Sequence, residues 1–424
     1  MSRKLRLTPK PRRIGPNGTR LSSRRLLLGL LAGAVLLAGL AACSPSQPSP
    51  PARAEPAPGW STLSSPAPGA SSSLASIACP EPRSCVAVGT SSDAGSSGAQ
   101  ALVESWDGRS WSVAMAPHPA GNVWLNSVAC PAMDRCIAVG SMNSSADPRG
   151  GRALAEMGPR PWTISPIPSP GLHAALQSIT CLSAGDCVAV GSWIVSAGDL
   201  PRTLVESWDG TSWSVVPSPA PGNDSWLEAV ACASTAQCVA VGSYSTNYND
   251  MNANGSTLVE SWDGRTWSVT PSPGPGIDSW LGAVACPSPD SCIATGSFNP
   301  NGDPWFPTWR TLVETWDGSA WSIAPSPSPG QQAALLAVSC GPPGSCLAAG
   351  SSSPAGTTGG SHALMESWDG QSWALVPMAL RGADSSLAAV ACATASICMA
   401  VGSQGRQIAG NTQPRTLAEA LNGG

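Results

Sequence analysis

The stretch LEAVACASTAQCVAVGS, residues 227–243, decides the fold. Its two apolar arms, LEAVAC and CVAVGS, are short, β-branched in part, and separated by five residues. Arms of this length around a small polar turn pair as a hairpin rather than wind as a helix. The pattern predicts Cys232 and Cys238 opposite each other at the closing end. Beyond a variable loop, TLVESWDGRTWSVTPSP, residues 257–273, predicts a second hairpin. Asp263-Gly264 supplies the reversal, because both residue types tolerate the backbone angles of a tight turn, and Trp262 and Trp267 flank it where they can pair across the strands. Two successive hairpins make a four-stranded antiparallel sheet.

The unit recurs along the chain. Fourteen cysteines form seven C-x5-C pairs, Cys79/Cys85, Cys130/Cys136, Cys181/Cys187, Cys232/Cys238, Cys286/Cys292, Cys340/Cys346 and Cys392/Cys398, whose first members lie 51, 51, 51, 54, 54 and 52 residues apart. A fixed period of this size marks one supersecondary unit used repeatedly. The expected fold is all-β, a seven-bladed β-propeller of four-stranded antiparallel blades with one disulfide in each. Zinc would want C-x2-C spacing or neighbouring histidines, and the chain has only three His. Each bridge closes a small loop and contributes roughly 2 kcal/mol on a chain-entropy model.

The last repeat runs through RTLAEALNGG to Gly424 without a final Trp strand, whereas GWSTLSSPAPG, from Gly59, precedes the first repeat unclaimed. Trp60 therefore reads as the missing Trp of the seventh blade, and the N-terminal strand is expected to close the ring and cover its sheet edge. Repeat two departs most, since AEMGPRPW, residues 155–162, lacks the Trp-Asp-Gly turn but keeps Trp162.

CVAVGS followed by a loop and LVESWDGTSWSVVPSP, residues 204–219, resembles the kelch repeat of galactose-oxidase-like propellers over residues 60–424. Gly-Ser stands where that family has a double glycine, and the cysteine pairs are not a general kelch feature. SWDGTSW, residues 207–213, is similar to the Asp-box of sialidase-type propellers but is one residue short. The resemblance implies a propeller scaffold. The activities of those families do not follow with it: a copper site would need Tyr, His and a Cys-linked Tyr, and a sialidase site an arginine cluster.

The repeated Trp pair is expected to bury apolar surface at one corner of each blade, against the next blade. Glu104, Glu156, Glu206, Glu260, Glu314, Glu366 and Glu419 occupy one place in all seven units and are read as hydrogen-bond acceptors, since seven equivalent catalytic carboxylates make little sense.

A binding site must lie where the repeats differ. The Cys turns and Asp-Gly turns share one face of the ring. The loops between second and third strands, and those between blades, share the other, where Trp193, Trp226, Tyr244, Tyr248, Asp250, Trp280, Trp305 and Trp309 are the candidate ligand-binding residues. Flat aromatics mixed with Asp and Asn suit a carbohydrate or peptide platform. Loop pinning is the plainer role for the same residues. A glycan-active hydrolase or lyase could use Asp224, Asp250 and Asp278, but no catalytic residue is assigned. His118, His173 and His362 fall in different blades without metal-ligand spacing, so neither a metal nor another cofactor is expected.

Composition and the N-terminal segment set the compartment. Only 11% of residues are charged, which disfavours long solvated helices. A basic stretch ending in Arg24-Arg25 precedes LLLGLLAGAVLLAGL and then Leu40-Ala41-Ala42-Cys43, which resembles a bacterial lipoprotein signal, with residues 1–42 removed and Cys43 carrying the lipid. Residues 43–58 read as a Ser- and Pro-rich tether and 59–424 as the propeller. The signal holds nine of the 22 Lys and Arg, including both Lys, and none of the 26 Asp and Glu, so the remainder carries a formal charge of −13. That charge excludes nucleic acid as a partner and leaves membrane attachment to the lipid. The expectation is a monomeric extracytoplasmic lipoprotein acting as a non-catalytic binding module for carbohydrate, cell-wall polymer or a surface protein. An envelope assembly scaffold is a further reading.

Overall fold

A computed structural model describes residues 59–422, except 95–97, 118, 120, 144–149, 160, 247–254, 302–307, 342–343, 355–359, 379–383 and 409–410. The strands form seven four-stranded antiparallel sheets, six built from consecutive strands and a seventh from Ser385–Thr394, Ile397–Ile408 and Asn411–Asn422 with Trp60–Leu63 at its outer edge. The first strands of the seven blades neighbour one another in a closed cycle, so they form the inner wall of the ring.

Blade four shows how the sequence builds each sheet. Its strands are Asp224–Ser234, Gln237–Ser245, Ser256–Trp262 and Trp267–Val269. The first hairpin is tighter than the five-residue turn expected from sequence. The ladder continues past Cys232↔Cys238 to Ser234↔Gln237, leaving Thr235 and Ala236 to make the turn. Gly242 is required by close approach, because a Cβ there would overlap the carbonyl oxygen of Trp226 on the adjacent strand. In the second hairpin Asp263 Oδ1 accepts the backbone N–H groups of Arg265 and Thr266, both at 2.8 Å, and Gly264 takes φ 90°. The Asp side chain thereby satisfies turn donors that Ala would leave to water.

All seven expected disulfides are present: Cys79–Cys85, Cys130–Cys136, Cys181–Cys187, Cys232–Cys238, Cys286–Cys292, Cys340–Cys346 and Cys392–Cys398. Cys232 and Cys238 face each other beside the two-residue turn, at the closing end of the hairpin as expected, and one of the two reaches deeper than the spacing shows. The second cysteine of every pair is a core residue: Cys85, Cys136, Cys187, Cys238, Cys292, Cys346 and Cys398 are all buried. Each sits in an apolar cluster shared with the preceding blade, as Cys136 does with Val86 and Val88 of blade one, Cys187 with Ile137 and Val139 of blade two, and Cys292 with Val239 and Val241 of blade four. Cys346 packs likewise with Ile293 and Val313 of blade five, and Cys398 with Ala349 and Met365 of blade six. The cause is strand alternation. Counting back from the turn, the second cysteine falls on the face that packs against the neighbouring blade, so the bridge adds apolar volume to the interblade core as well as a covalent link.

The Trp pairs meet across the turn as expected, with ring centroids 5.5 Å apart for Trp208–Trp213 and 5.7 Å for Trp262–Trp267. Their packing partner differs from the expectation. The second Trp of each pair enters a cluster shared with the preceding blade: Trp267 packs with Val190 and Val205 of blade three, and Trp321 with Val241 and Val259 of blade four. The first Trp lies against the same cluster and also covers its own Cys turn, as when Trp262 Nε1 donates to the Thr235 carbonyl at 3.2 Å. In blade two, Gly158 replaces the first Trp, and the ring of Trp162 lies over it.

Trp60–Leu63 closes the ring as predicted, pairing with the last strand from Trp60↔Leu421 to Leu63↔Ala418. Trp60 is 5% exposed in the cluster between blades six and seven, the place the second Trp holds elsewhere. Thr62 Oγ1 donates to Glu419 at 2.6 Å, and Arg415 Nη1 donates to the carbonyls of Ala67 and Gly69 at 2.8 and 2.9 Å.

All seven repeated glutamates are fully buried. Five accept a hydroxyl: Ser65 donates to Glu104, Ser218 to Glu260, Ser272 to Glu314, Ser326 to Glu366 and Thr62 to Glu419. The serines belong to interblade linkers, mostly as the centre of a Pro-Ser-Pro, so each pins a linker to the blade that follows. Glu206 departs from the expected acceptor role because Ile167, in Pro166-Ile167-Pro168, stands where later linkers have the central Ser218, Ser272 or Ser326; Glu156 likewise has no hydrogen-bond partner among the described residues. Burial pushes the Glu206 carboxyl up to about 8 and Glu156 up to about 7. Burial also lifts Glu260 and Glu366 to about 7, against the opposing pull of their serines.

Candidate functional site

The loop face carries a cavity of about 640 Å³ between the inner strands of blades four, five and six. Strand starts and ends build it. Asp224 and Trp226 lie at the start of the first strand of blade four, Tyr244 near the end of its second, Asp278 and Trp280 at the start of the first strand of blade five, and Trp309 just before that blade's third strand. Alternation along the first strand explains the grouping: Leu227 points into the interblade core, so Trp226 must face away from it. Trp280 and Trp309 also line a second cavity of about 300 Å³ over blade six, so the two indoles stand between adjoining hollows.

One register irregularity shapes the floor. Leu227 pairs with Gly242 and Ala229 with Val241, which leaves Glu228 outside the ladder as a β-bulge. The same bulge falls at Ala75, Asn126, Gln177, Gly282, Leu336 and Ala388 in the other blades. Asn126 Nδ2 reaches Gln177 Oε1 at 3.0 Å, so the bulge residues of blades two and three meet on the inner wall. Glu228, Gly282 and Leu336 are the three that reach the cavity. Sequence reasoning misses them. The signal that could find them is the position after a Leu shared by every repeat, which changes through Ala, Asn, Gln, Glu, Gly, Leu and Ala.

The carboxylates differ in their commitments. Asp224 Oδ1 accepts the Ser245 N–H at 2.9 Å, and Asp278 Oδ1 accepts the Gly255 N–H at 3.1 Å. Asp224 thus fastens the end of the second strand of blade four, and Asp278 the residue before its third. Burial raises Asp278 above the usual carboxylate range, and the Gly255 N–H partly offsets it. Glu228, half-buried, is also raised by burial. No Lys or Arg lines the cavity among the described residues.

Of the sequence candidates, Trp226, Tyr244, Trp280 and Trp309 come together here. Trp193 does not: its ring lies over Gly171 at the end of an interblade linker and packs on the core of blades two and three. Tyr244 has the same position over Gly222 and so both pins a linker and lines the cavity. Tyr248, Asp250 and Trp305, with His118, lie outside the described residues.

No protein-family model matches the chain, and no curated protein matches it. Solved structures do. The structure of YCF48 bound to D1 peptide is 13% identical, with a TM-score of 0.51 over 87% of this chain and 98% of that one. A polysaccharide lyase of a new family, PL25 ulvan lyase bound to a glucuronyl-rhamnose sulfate fragment, is 9% identical, with a TM-score of 0.52 over 79% and 89%. YCF48 from Cyanidioschyzon merolae is 13% identical, with a TM-score of 0.49 over 86% and 99%. The likeness is one of fold. The kelch resemblance accordingly extends to a propeller and no further.

Proposed function

We propose that the protein is an exported binding module whose recognition site is the cavity over blades four to six. On this reading residues 1–42 are a lipoprotein signal, Cys43 is lipidated, and residues 43–58 hold the propeller off the bacterial membrane. Seven disulfides fit an oxidising compartment outside the cytoplasm. The observation that carries the functional reading is the convergence of four aromatic and three acidic side chains from neighbouring blades on one hollow. At the place held by Trp226 and Trp280, blades one, three, six and seven have Ser73, Ala175, Ala334 and Ser386. The aromatics are therefore not demanded by the repeat.

The cavity suits an extended polymer or peptide that lays apolar faces on indoles. YCF48, in the structure with a D1 peptide, and ulvan lyase, in the structure with a saccharide, set the two ligand classes to screen. Purified protein is expected to bind a cell-wall polymer, glycan or peptide saturably and without turnover. Trp226→Ala with Trp280→Ala should weaken that binding at least tenfold in a titration, with the thermal midpoint within a few degrees of wild type. Turnover of any hit would replace the module with a hydrolase or lyase using Asp224, Glu228 or Asp278. Undiminished binding in the double variant would move the site elsewhere.

A further inference from the structure

We propose that the group held in this cavity is a weakly hydrated alkylammonium cation, seated against Trp226, Trp280 and Trp309 and charge-paired with Glu228. The inference rests on the cavity being the recognition site and names the chemistry of its guest.

The electrostatics select the sign of the guest. Indole faces carry the negative side of a quadrupole and attract cations lying over them. Every ionisable side chain in the described cavity wall is a carboxyl or a phenol, and residues 43–424 contain no lysine at all. An anionic guest would meet repulsion with no counter-charge. A neutral guest would leave Glu228 desolvated and unpaired, a poor arrangement for a carboxylate.

Glu228 is set apart from the other acids by what surrounds it. Asp224 and Asp278 each spend an oxygen on a backbone N–H. Glu228 makes no hydrogen bond among the described residues, and burial alone raises its proton affinity. Its counterparts in the two preceding blades satisfy each other, Asn126 donating to Gln177. In the following blade the equivalent residue is Gly282, the one bulge position without a side chain, and the ring of Trp280 occupies the space its Cβ would need. The arrangement brings an unpartnered carboxyl and an aromatic face to the same hollow, which is how a cation can be both neutralised and covered.

The test titrates the intact protein with choline, tetramethylammonium and n-butylammonium, and with 3,3-dimethylbutan-1-ol, the uncharged isostere of choline, following tryptophan fluorescence and heat. Choline is expected to bind saturably, and the neutral isostere at least tenfold more weakly. Glu228→Gln should weaken choline at least tenfold and leave the isostere unchanged, with unaltered circular dichroism showing that the ring is intact. The order of choline and n-butylammonium separates a quaternary headgroup from a lysine-like amine. Equal binding of choline and its isostere, choline binding unchanged in Glu228→Gln, or no binding of any ammonium would each overturn the proposal. If a polymer or peptide still depends on Trp226 and Trp280 while the ammonium series fails, the site stands and the cation falls. Binding that survives loss of both tryptophans removes both.

Discussion

Raising the pH from 4.5 to 8 is expected to lower the stability of the propeller, with Glu206 the largest contributor. The folded carboxyl sits at about 8 against an ordinary value of 4.5. A group raised by folding gives its full stability below the unfolded value, and that stability is lost as pH rises toward the folded one. Each such group loses about 1.4 kcal/mol per pH unit across its window. Glu156, Glu260 and Glu366, raised to about 7, add to the slope. The turn aspartates act elsewhere: Asp107, Asp209, Asp263, Asp317 and Asp369 are lowered by backbone and hydroxyl donors, so their stability is complete above about pH 4 and is lost only in acid. Denaturant titrations at pH 5, 6, 7 and 8 check the slope. Glu206→Gln copies the protonated acid; it should change little at pH 5 and stabilise the protein at pH 8. A flat profile, or a variant that follows the wild type at every pH, would show that Glu206 is not held protonated.

Trp60→Ala is expected to cost about 3–5 kcal/mol, the range for emptying a buried aromatic site. The residue is 5% exposed and packs with Ala337, Ala349, Met365, Leu387 and Leu417. Its effect should exceed that of Trp213→Ala, although both side chains are equally large. Trp213 lies within a blade whose strands are consecutive in sequence, whereas Trp60 belongs to a four-residue strand joining opposite ends of the chain. Losing it also loosens Thr62 from Glu419 and leaves the last strand with an open edge. Urea unfolding of both variants, with limited proteolysis of the seventh blade, makes the comparison. Equal costs would mean that closure adds nothing to packing.

The fold is legible because its signals are repeated and chemically specific. C-x5-C fixes which residues face each other in one hairpin, Trp-Asp-Gly-x-x-Trp does so in the other, and a stray Trp60 beside a missing last strand reveals the join. The direction of Trp packing is not legible, since a strand pattern gives the face of a sheet but not which neighbour covers it. The depth of Cys136, Cys187 and their equivalents is hidden for the same reason: spacing pairs two thiols without saying that one of them lies under the adjoining blade. The bulge at Glu228 is hidden differently. LEAVAC reads as uninterrupted alternation, and only pairing with Gly242 and Val241 shows that one residue has slipped out of register. Trp226, Tyr244, Trp280 and Trp309 can be found because they break a constant frame, while Trp193 breaks the same frame only to cover Gly171.

The strand that completes the seventh blade is also the first described part of the chain after the segment read as a tether. Any tension transmitted through residue 59 therefore acts on four backbone pairs, Trp60↔Leu421 to Leu63↔Ala418, before it reaches any other part of the ring. Pulled along its length, this strand is loaded in shear, with its rungs sharing the force; pulled sideways, it peels one rung at a time. The buried indole at its leading end is the first side chain of the strand to take up such a load, so the seam that completes the ring is also where a pull on residue 59 enters it.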